Sequence, residues 1–456
     1  MLSRATLGRQ AQRAARRSWQ QQSRGLAAPA SGSFQYETSE VNGVKTASRD
    51  QPGPLTTLAI VSQAGTRFQT LPGLTEGLEK YAFKNTERRS ALRIQREAEL
   101  LGAAPFSYHS RENLVVGAKF FKDDLPYFVE LLAEVATLSK YQQHVFAEEI
   151  YPLVKLSQKK FLGNTAQMAL NSAHGVAFHR GLGVPLYPSS STALEKYTDA
   201  ETVAEYAASA YAKSSFAVVG NGIESGVLSK WVSDYFADVP ATPATKLTSP
   251  QSTYYGGEER ISHGSGNSLV LAFPGSSTFT GNSYKPEIAV LATLLGGQSS
   301  IKWSPGFSLL AKASADAPSL SVKTKSYIYS DAGLLTVALN GSAGDIRSVA
   351  GGVVSAIKSV ADGNLSKEDF AKAKALAKFK ELEFGQNTTA GMELTGAGLV
   401  HGGKAYQIDE VAKAVDGVTE ESIKKIAKEV LETKASVSAV GDLYALPYAE
   451  EIGLKV

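Results

Sequence analysis

The 456 residues carry 47 basic and 44 acidic side chains, a formal charge of +3, and are 43% hydrophobic and 20% charged. That balance is ordinary for a globular protein with sizeable cores, and no run approaches the roughly 18 apolar residues of a membrane-spanning helix. Cysteine is absent, which excludes disulfides, thiol catalysis and cysteine metal sites.

The first segment is basic. Arg4, Arg9, Arg13, Arg16, Arg17 and Arg24 occur before any acid, and the first acid is Glu37. An Arg-rich, acid-free stretch able to form an amphipathic helix marks a mitochondrial transit peptide. We assign it to residues 1–34, with processing between Arg24 and Gln35. It lacks the apolar core of a secretory signal. Lysine is absent there and no basic patch with interleaved aromatics follows, so no nucleic-acid partner is expected. Without residues 1–24 the formal charge moves from +3 to −3.

Leu55–Val61 reads as a strand running into the turn Ala64-Gly65-Thr66-Arg67-Phe68. Gly73–Thr86 reads as a helix, with Leu78, Ala82 and Phe83 at helical spacing. A second helix spans Ser90–Leu101 and stops at Gly102. Ser107–His109 and Asn113–Phe121 form a hairpin around Ser110-Arg111-Glu112. Asp124 is placed to cap a helix over Leu125–Leu138, with Pro126 in its first turn. Helices over Val145–Leu162 and Asn164–Phe178 follow. Meandering strands mixed with helices give an α+β class.

Residues 198–221 and 419–442 look like one unit used twice. Thr198, Lys213, Ser215, Val219 and Gly220 recur at an ungapped offset of 221 residues, in the order cap, helix, strand and glycine. Thr198-Asp199-Ala200-Glu201 has capping-box spacing. The segment Leu55–Phe68 has a counterpart in Ser268–Phe279, and the helix Leu125–Leu138 in Asp345–Val360. The organisation is therefore two homologous α+β halves, 35–237 and 259–456, joined by a Pro- and Thr-rich linker, 238–258. Each half is expected to be a mostly antiparallel sheet covered by helices.

Chemistry-bearing constellations are few. The six histidines, His109, His144, His174, His179, His263 and His401, form no i,i+4 pair, and surface or capping roles are expected for them. The glycines and serines of Leu295–Gly306 lack the ending of a phosphate loop, and the stretch reads as a helix end and loop. There is no G-x-S-x-G and no dinucleotide fingerprint.

One stretch does carry a pattern. Gly73–Thr86, GLTEGLEKYAFKNT, resembles the helix of the pitrilysin-type metallopeptidases and their mitochondrial relatives, commonly G-x-x-H-x-L-E-H-x-x-F-K-x-T. Leu78-Glu79 and Ala82-Phe83-Lys84-x-Thr86 fix the register. Glu76 then occupies the first His position, Glu79 the general-base position and Lys80 the second His position. The family's third ligand position falls near Ser157, and Glu148 and Glu149 lie more than two helical turns earlier. An ammonium cannot ligate zinc and Ser157 is a weak neutral donor. The resemblance therefore implies a degenerate zinc motif at Glu76, Glu79, Lys80 and Ser157, with no catalytic residue, no metal and no cofactor. The bland reading of the same residues is a solvated helix face with i,i+3 and i,i+4 ion pairs.

The run Leu295–Gly341, with LSVKTKSYIYSDAGLLTVAL at 320–339, resembles the core-2 proteins of mitochondrial ubiquinol–cytochrome c oxidoreductase, complex III. That resemblance implies a non-catalytic scaffold without a redox centre, peripheral on the matrix side of the inner membrane. Its implied partners are core protein 1 and the cytochrome and iron–sulfur subunits of a dimeric complex, through which it would meet the membrane. Its crevice would be a candidate for holding a peptide. Three other readings stay open: the presequence-binding alpha subunit of the mitochondrial processing peptidase, an active metallopeptidase, and an unrelated scaffold of the same fold.

Overall fold

Consecutive apolar residues in Leu58, Ala59, Ile60 and Val61 demand a strand covered on both faces. The computed structural model, which describes residues 35–188, 192–281, 283–298 and 306–456, supplies that cover. The expected transit peptide and most of the Ser299–Gly306 loop lie outside the described residues.

The first sheet holds β1 (Glu37–Val41), β2 (Val44–Arg49), β3 (Leu55–Ser62), β4 (Ala104–His109), β5 (Leu114–Phe121) and β6 (Phe216–Asn221), in the order β1-β2-β6-β3-β5-β4. The second holds β7 (Gly257–Ser262), β8 (Asn267–Pro274), β9 (Ser321–Ile328), β10 (Gly333–Gly341) and β11 (Ser436–Gly441), in the order β7-β11-β8-β10-β9. Neighbours are antiparallel except β2 with β6 and β7 with β11. The second order repeats the first, with β7 standing where β2 does, and with one exception: among the described residues nothing stands where β1 does.

The offset of 221 is a face-preserving one. Phe216 and Val218 point into one core, and Val437 and Ala439 point into the equivalent core of the other half. A shift of one residue would turn every side chain to the opposite face.

The longer helices among the described residues are α1 (Leu74–Tyr81), α2 (Ala91–Leu100), α3 (Leu125–Thr137), α4 (Tyr151–Leu162), α5 (Thr165–Phe178), α6 (Ala200–Ala210), α7 (Ser225–Tyr235), α8 (Pro286–Leu295), α9 (Ala343–Ala361), α10 (Lys367–Gln386), α11 (Thr388–Ala397), α12 (Ile408–Asp416) and α13 (Glu420–Glu432). Most cover one face of the sheet in their own half. In α3 the stripe Leu125, Phe128, Leu132 and Val135 is buried, and Phe120 of β5 stacks on Phe128 at 4.2 Å between centroids. Each such side chain contributes about 1.5–3 kcal/mol of burial.

The opposite faces are covered by exchange. α5, from the first half, packs on β8 and β11 through Ala169, Ala173 and Ala177. α11, from the second half, packs on β3 and β6 through Met392 and its small neighbours. Small residues let the helix backbone approach closely. A Cβ on Gly396 would lie 2.5 Å from Val61 Cβ, so glycine is required there.

Four sequence expectations need correction. The first helix ends at Tyr81, because Ala82 leaves helical geometry and Phe83 turns left-handed at φ 61 to keep its ring against the core. The capping box before α6 uses Asp199 and Thr202, one residue later than Thr198; its partner before α13 is Thr419 with Ser422. Asp124 precedes α3 but its side chain caps nothing, since the turn Lys122–Asp124 already leads the backbone in. The rod expected from Val145 starts at Gln143 and carries a π turn over Phe146–Ile150 before α4. Pro152, which lacks an N–H, sits in the first turn beyond it.

Candidate functional site

α1 is short, but its position is decisive. Gly73 precedes it in the left-handed region at φ 88, and the helix then runs between β4, α4 and α6. Glu76 is 2% exposed and Glu79 7% exposed, so the solvated-face reading fails. Neighbouring elements close over what an isolated helix would present to water.

Glu79 is held on both sides. Lys80 Nζ donates to one carboxylate oxygen at 2.5 Å, and His109 Nδ1, from the end of β4, meets the other. Burial works to raise the Glu79 pKa, but His109 and Lys80 outweigh it and hold the carboxyl below its ordinary value. His109 Nε2 lies 3.3 Å from Leu186 O, and its ring packs edge-on to Tyr187. Burial pushes the Tyr187 hydroxyl up, and the nearby Glu76 and Glu79 charges add to that.

Glu76 is different. Neither carboxylate oxygen has a well-formed hydrogen bond. Burial raises its pKa. Ser157 of α4, His109 and Lys80 are near enough to temper the rise, but the Ser157 hydroxyl does not complete a good bond to it. The structure brings Glu76, Glu79, Lys80 and Ser157 to one place and adds His109, which sequence reasoning left as a surface or capping residue.

These residues do not fit zinc. The site offers one carboxylate engaged by an ammonium and a ring, one unsupported carboxylate, and a neutral hydroxyl. Among the described residues no group of three or more His, Asp or Glu is arranged to hold a metal ion. Zinc takes imidazole, thiolate or carboxylate ligands, and the Lys80 charge would repel it.

The remaining histidines divide: His144 and His179 are exposed, His263 and His401 half-buried, and His174 buried. His174, 1% exposed, donates from Nδ1 to Leu170 O at 2.7 Å and accepts at Nε2 from the Tyr329 hydroxyl at 2.8 Å. Burial, with Arg111 nearby, depresses its pKa well below the usual range. His401 stacks on Phe68 and bonds Asn113 across the halves. His263 bonds Leu162 O at 3.0 Å. His179 does end a helix, as the C-cap of α5.

The strongest polar cluster lies between the halves. Arg67 donates to Glu112 at 2.7 Å and, in bidentate fashion, to both oxygens of Asp331 at 2.7 Å. It also reaches Ser249 and the carbonyl of Pro250. Glu112 in turn accepts from the Ser330 amide and hydroxyl, at 2.8 and 2.6 Å. Ser330 and Asp331 form the turn between β9 and β10. Gly65 makes this possible: a Cβ there would lie 2.3 Å from the Glu112 carbonyl carbon. Beside it Arg111, buried, donates to Leu182 O, Val184 O and Asn171, and burial lowers its pKa.

The duplicated α+β halves, with the first carrying the metallopeptidase-type helix position, define a class that comparison with known families identifies. Residues 45–180 match the model for insulinase (peptidase family M16), and residues 198–376 match the peptidase M16 inactive domain. Cytochrome b-c1 complex subunit 2, mitochondrial, of Neurospora crassa is 48% identical, with 100% of each chain covered. The protein of that name from Yarrowia lipolytica is 35% identical over 94% of this chain and 99% of its own, and that from Schizosaccharomyces pombe 34% identical over 91% and 95%. The chain belongs to the M16 family, in the branch formed by these mitochondrial subunit 2 proteins.

Proposed function

We propose that this chain is a structural, non-catalytic subunit of the mitochondrial cytochrome b-c1 complex. The observation that carries the reading is the 48% identity along the whole length to a relative named as subunit 2 of that complex. The residue chemistry agrees with it. Glu76, Glu79, Lys80 and Ser157 form a degenerate zinc motif, in which Lys80 and His109 engage Glu79 and Glu76 is left unsupported. The chain has no redox centre of its own. Function then resides in its surfaces, with 35–237 and 259–456 as two halves joined through 238–258.

The finer reading follows from the same family. Residues 1–34 direct import into mitochondria and are removed. The mature chain pairs with core protein 1 on the matrix side of the inner membrane, within a dimeric assembly that includes the cytochrome and iron–sulfur subunits. No helix among the described residues is long and apolar enough to cross a membrane, so membrane contact would come through partners. The test is metal content and co-purification of the native protein from mitochondrial membranes in mild detergent. Haem and cytochrome subunits travelling with a zinc-free chain are the expected result. A soluble chain paired only with a zinc-bearing presequence peptidase would overturn the reading.

A further inference from the structure

We propose that the free edge of β7 receives an extended strand from another subunit, on the reading that this chain works inside a multi-subunit complex. β7 pairs with β11 on one side only. Gly257 N donates to Ala435 O at 3.0 Å and His263 N to Gly441 O at 3.1 Å, so the odd-numbered residues turn their amides into the sheet. In a ladder the alternate residues turn theirs the other way. Those residues are Glu258, Arg260 and Ser262, and among the described residues no group hydrogen-bonds to their main-chain atoms.

Exposed edges are commonly blunted by charged side chains. Here the charges are folded away. Arg260 spans to the carbonyls of Leu443, Leu446 and Pro447 at 2.8–3.0 Å, with its guanidinium over the Tyr448 ring. Glu258 accepts from the Ala449 amide at 3.1 Å. Both side chains serve the C-terminal segment and leave the edge open.

The first half has the same slot filled. Lys45 and Ala47 of β2 stand opposite Ala217 and Val219 as Glu259 and Ile261 of β7 stand opposite Ser438 and Val440. By the same alternation Val44, Thr46 and Ser48 are the equivalents of Glu258, Arg260 and Ser262. They face Val41, Ser39 and Glu37 of β1, which runs antiparallel beside them. Tyr36, just before β1, drops into the space beside α11 and packs with Ala47 and Met392. In the second half the corresponding space, between α5 and β7, is a groove of about 620 Å³ walled by Phe161, Met168, Val176, Tyr187 and Ile261.

The occupant's chemistry follows. It is an extended segment, antiparallel to β7, held by main-chain hydrogen bonds, with an aromatic or large aliphatic side chain entering the groove at an alternate position. Besides β7, the free edges among the described residues are those of β1, β4 and β9, each built into its own sheet, and a second copy of β7 would bring no aromatic to the groove. The multi-subunit reading therefore assigns the segment to a different subunit, and a second copy is an outcome of the test.

The test compares amide hydrogen exchange at single-residue resolution in the native assembly and in the chain separated from it. The expected result is at least tenfold slower exchange at Glu258, Arg260 and Ser262 in the assembly, with Gly257, Glu259 and Ile261 unchanged. Equal rates at the even-numbered residues overturn the proposal. Ser262→Pro deletes one edge N–H that the β7–β11 ladder does not use, whereas Ser262→Ala keeps it. With melting temperatures of the separated chains matched, the Pro variant is expected to retain less than a tenth of the cross-linking from a photoreactive residue at Val176 to another subunit, and the Ala variant all of it. Equal cross-linking, or an adduct to a second copy, overturns the proposal, and exchange decides alone if the Pro variant does not fold. Cytochrome subunits present with equal exchange rates would refute the edge and leave the proposed function standing. A chain that leaves the membranes alone would refute both.

Discussion

Arg67→Met tests what holds the halves together. The substitution keeps most of the side-chain volume and removes the cation between Glu112 and Asp331. The side chains of Arg67 and Glu112 are 5% and 7% exposed, and that of Asp331 is 25% exposed. Removing one partner of a buried pair costs about 3–5 kcal/mol, chiefly for the charge left behind. Solvent discounts the Asp331 share, so Glu112 dominates and ~3–4 kcal/mol is expected. Unfolding entropy of about 2.1 cal/mol/K per residue over roughly 400 residues gives about 0.8 kcal/mol/K. If the halves unfold together, calorimetry at pH 7.5 should show a melting point lower by ~4 °C. Arg67→Met combined with Glu112→Leu should recover part of the loss, because the stranded carboxylate is gone. A fall of less than about 1 °C, or no recovery in the double variant, would refute the reasoning. The pH sign follows from Asp331. Burial opposes its ionisation, but Arg67 and Ser252 hold its pKa below the ordinary 3.8. Its contribution is complete above that value and is lost as pH falls through the folded value. The Asp331 share of the Arg67→Met deficit should therefore be constant from pH 5 to pH 8.

Glu76→Met should stabilise the chain at pH 7.5 by about 1–3 kcal/mol, the cost of an unsatisfied buried polar group. Because burial raises the folded pKa above its ordinary 4.5, the acid is tolerated best below that pH and the penalty grows as pH rises. The gain should shrink in melts at pH 4.5, and a gain that increases toward acid would be inconsistent with this assignment. Gly396→Ala should cost about 1–3 kcal/mol by pushing α11 off Val61. Gly351→Ala, in α9 with nothing within 4 Å of the new Cβ, should instead stabilise by about 0.5–1 kcal/mol. Urea melts of the pair check both signs. Chelation with EDTA should leave the melting point unchanged, and a drop would show a metal the ligand set does not predict.

Much of the local structure was legible. β3, the β4–β5 hairpin and α3 follow from periodicity, and the 221-residue offset survives as a preserved face. What stayed hidden depends on contacts distant in sequence. Glu76 and Glu79 carry no mark of burial, since α4 and α6 close over them only in the folded chain. His109 lies 30 residues from Glu79 in sequence, and only the placement of β4 beside α1 joins them. Arg67, read as a turn residue, and Asp331, within the run 320–339, are separated by 264 positions, and nothing in the sequence joins them. The exchange of α5 and α11 was not legible either, because alanine- and glycine-rich helix faces do not say which sheet they will meet.

That exchange constrains how the chain can mature. The face of sheet 1 formed by Ala47, Ala59, Val61, Val115, Ala217 and Val219 stays uncovered until the segment beyond Thr388 has been delivered. A chain threaded amino end first presents its first half as a sticky intermediate throughout that interval. Such long-range closure is slow and exposed to aggregation. A fragment ending before α11 should therefore need a chaperone for as long as it exists, whereas the complete chain would release one only when its last third has arrived.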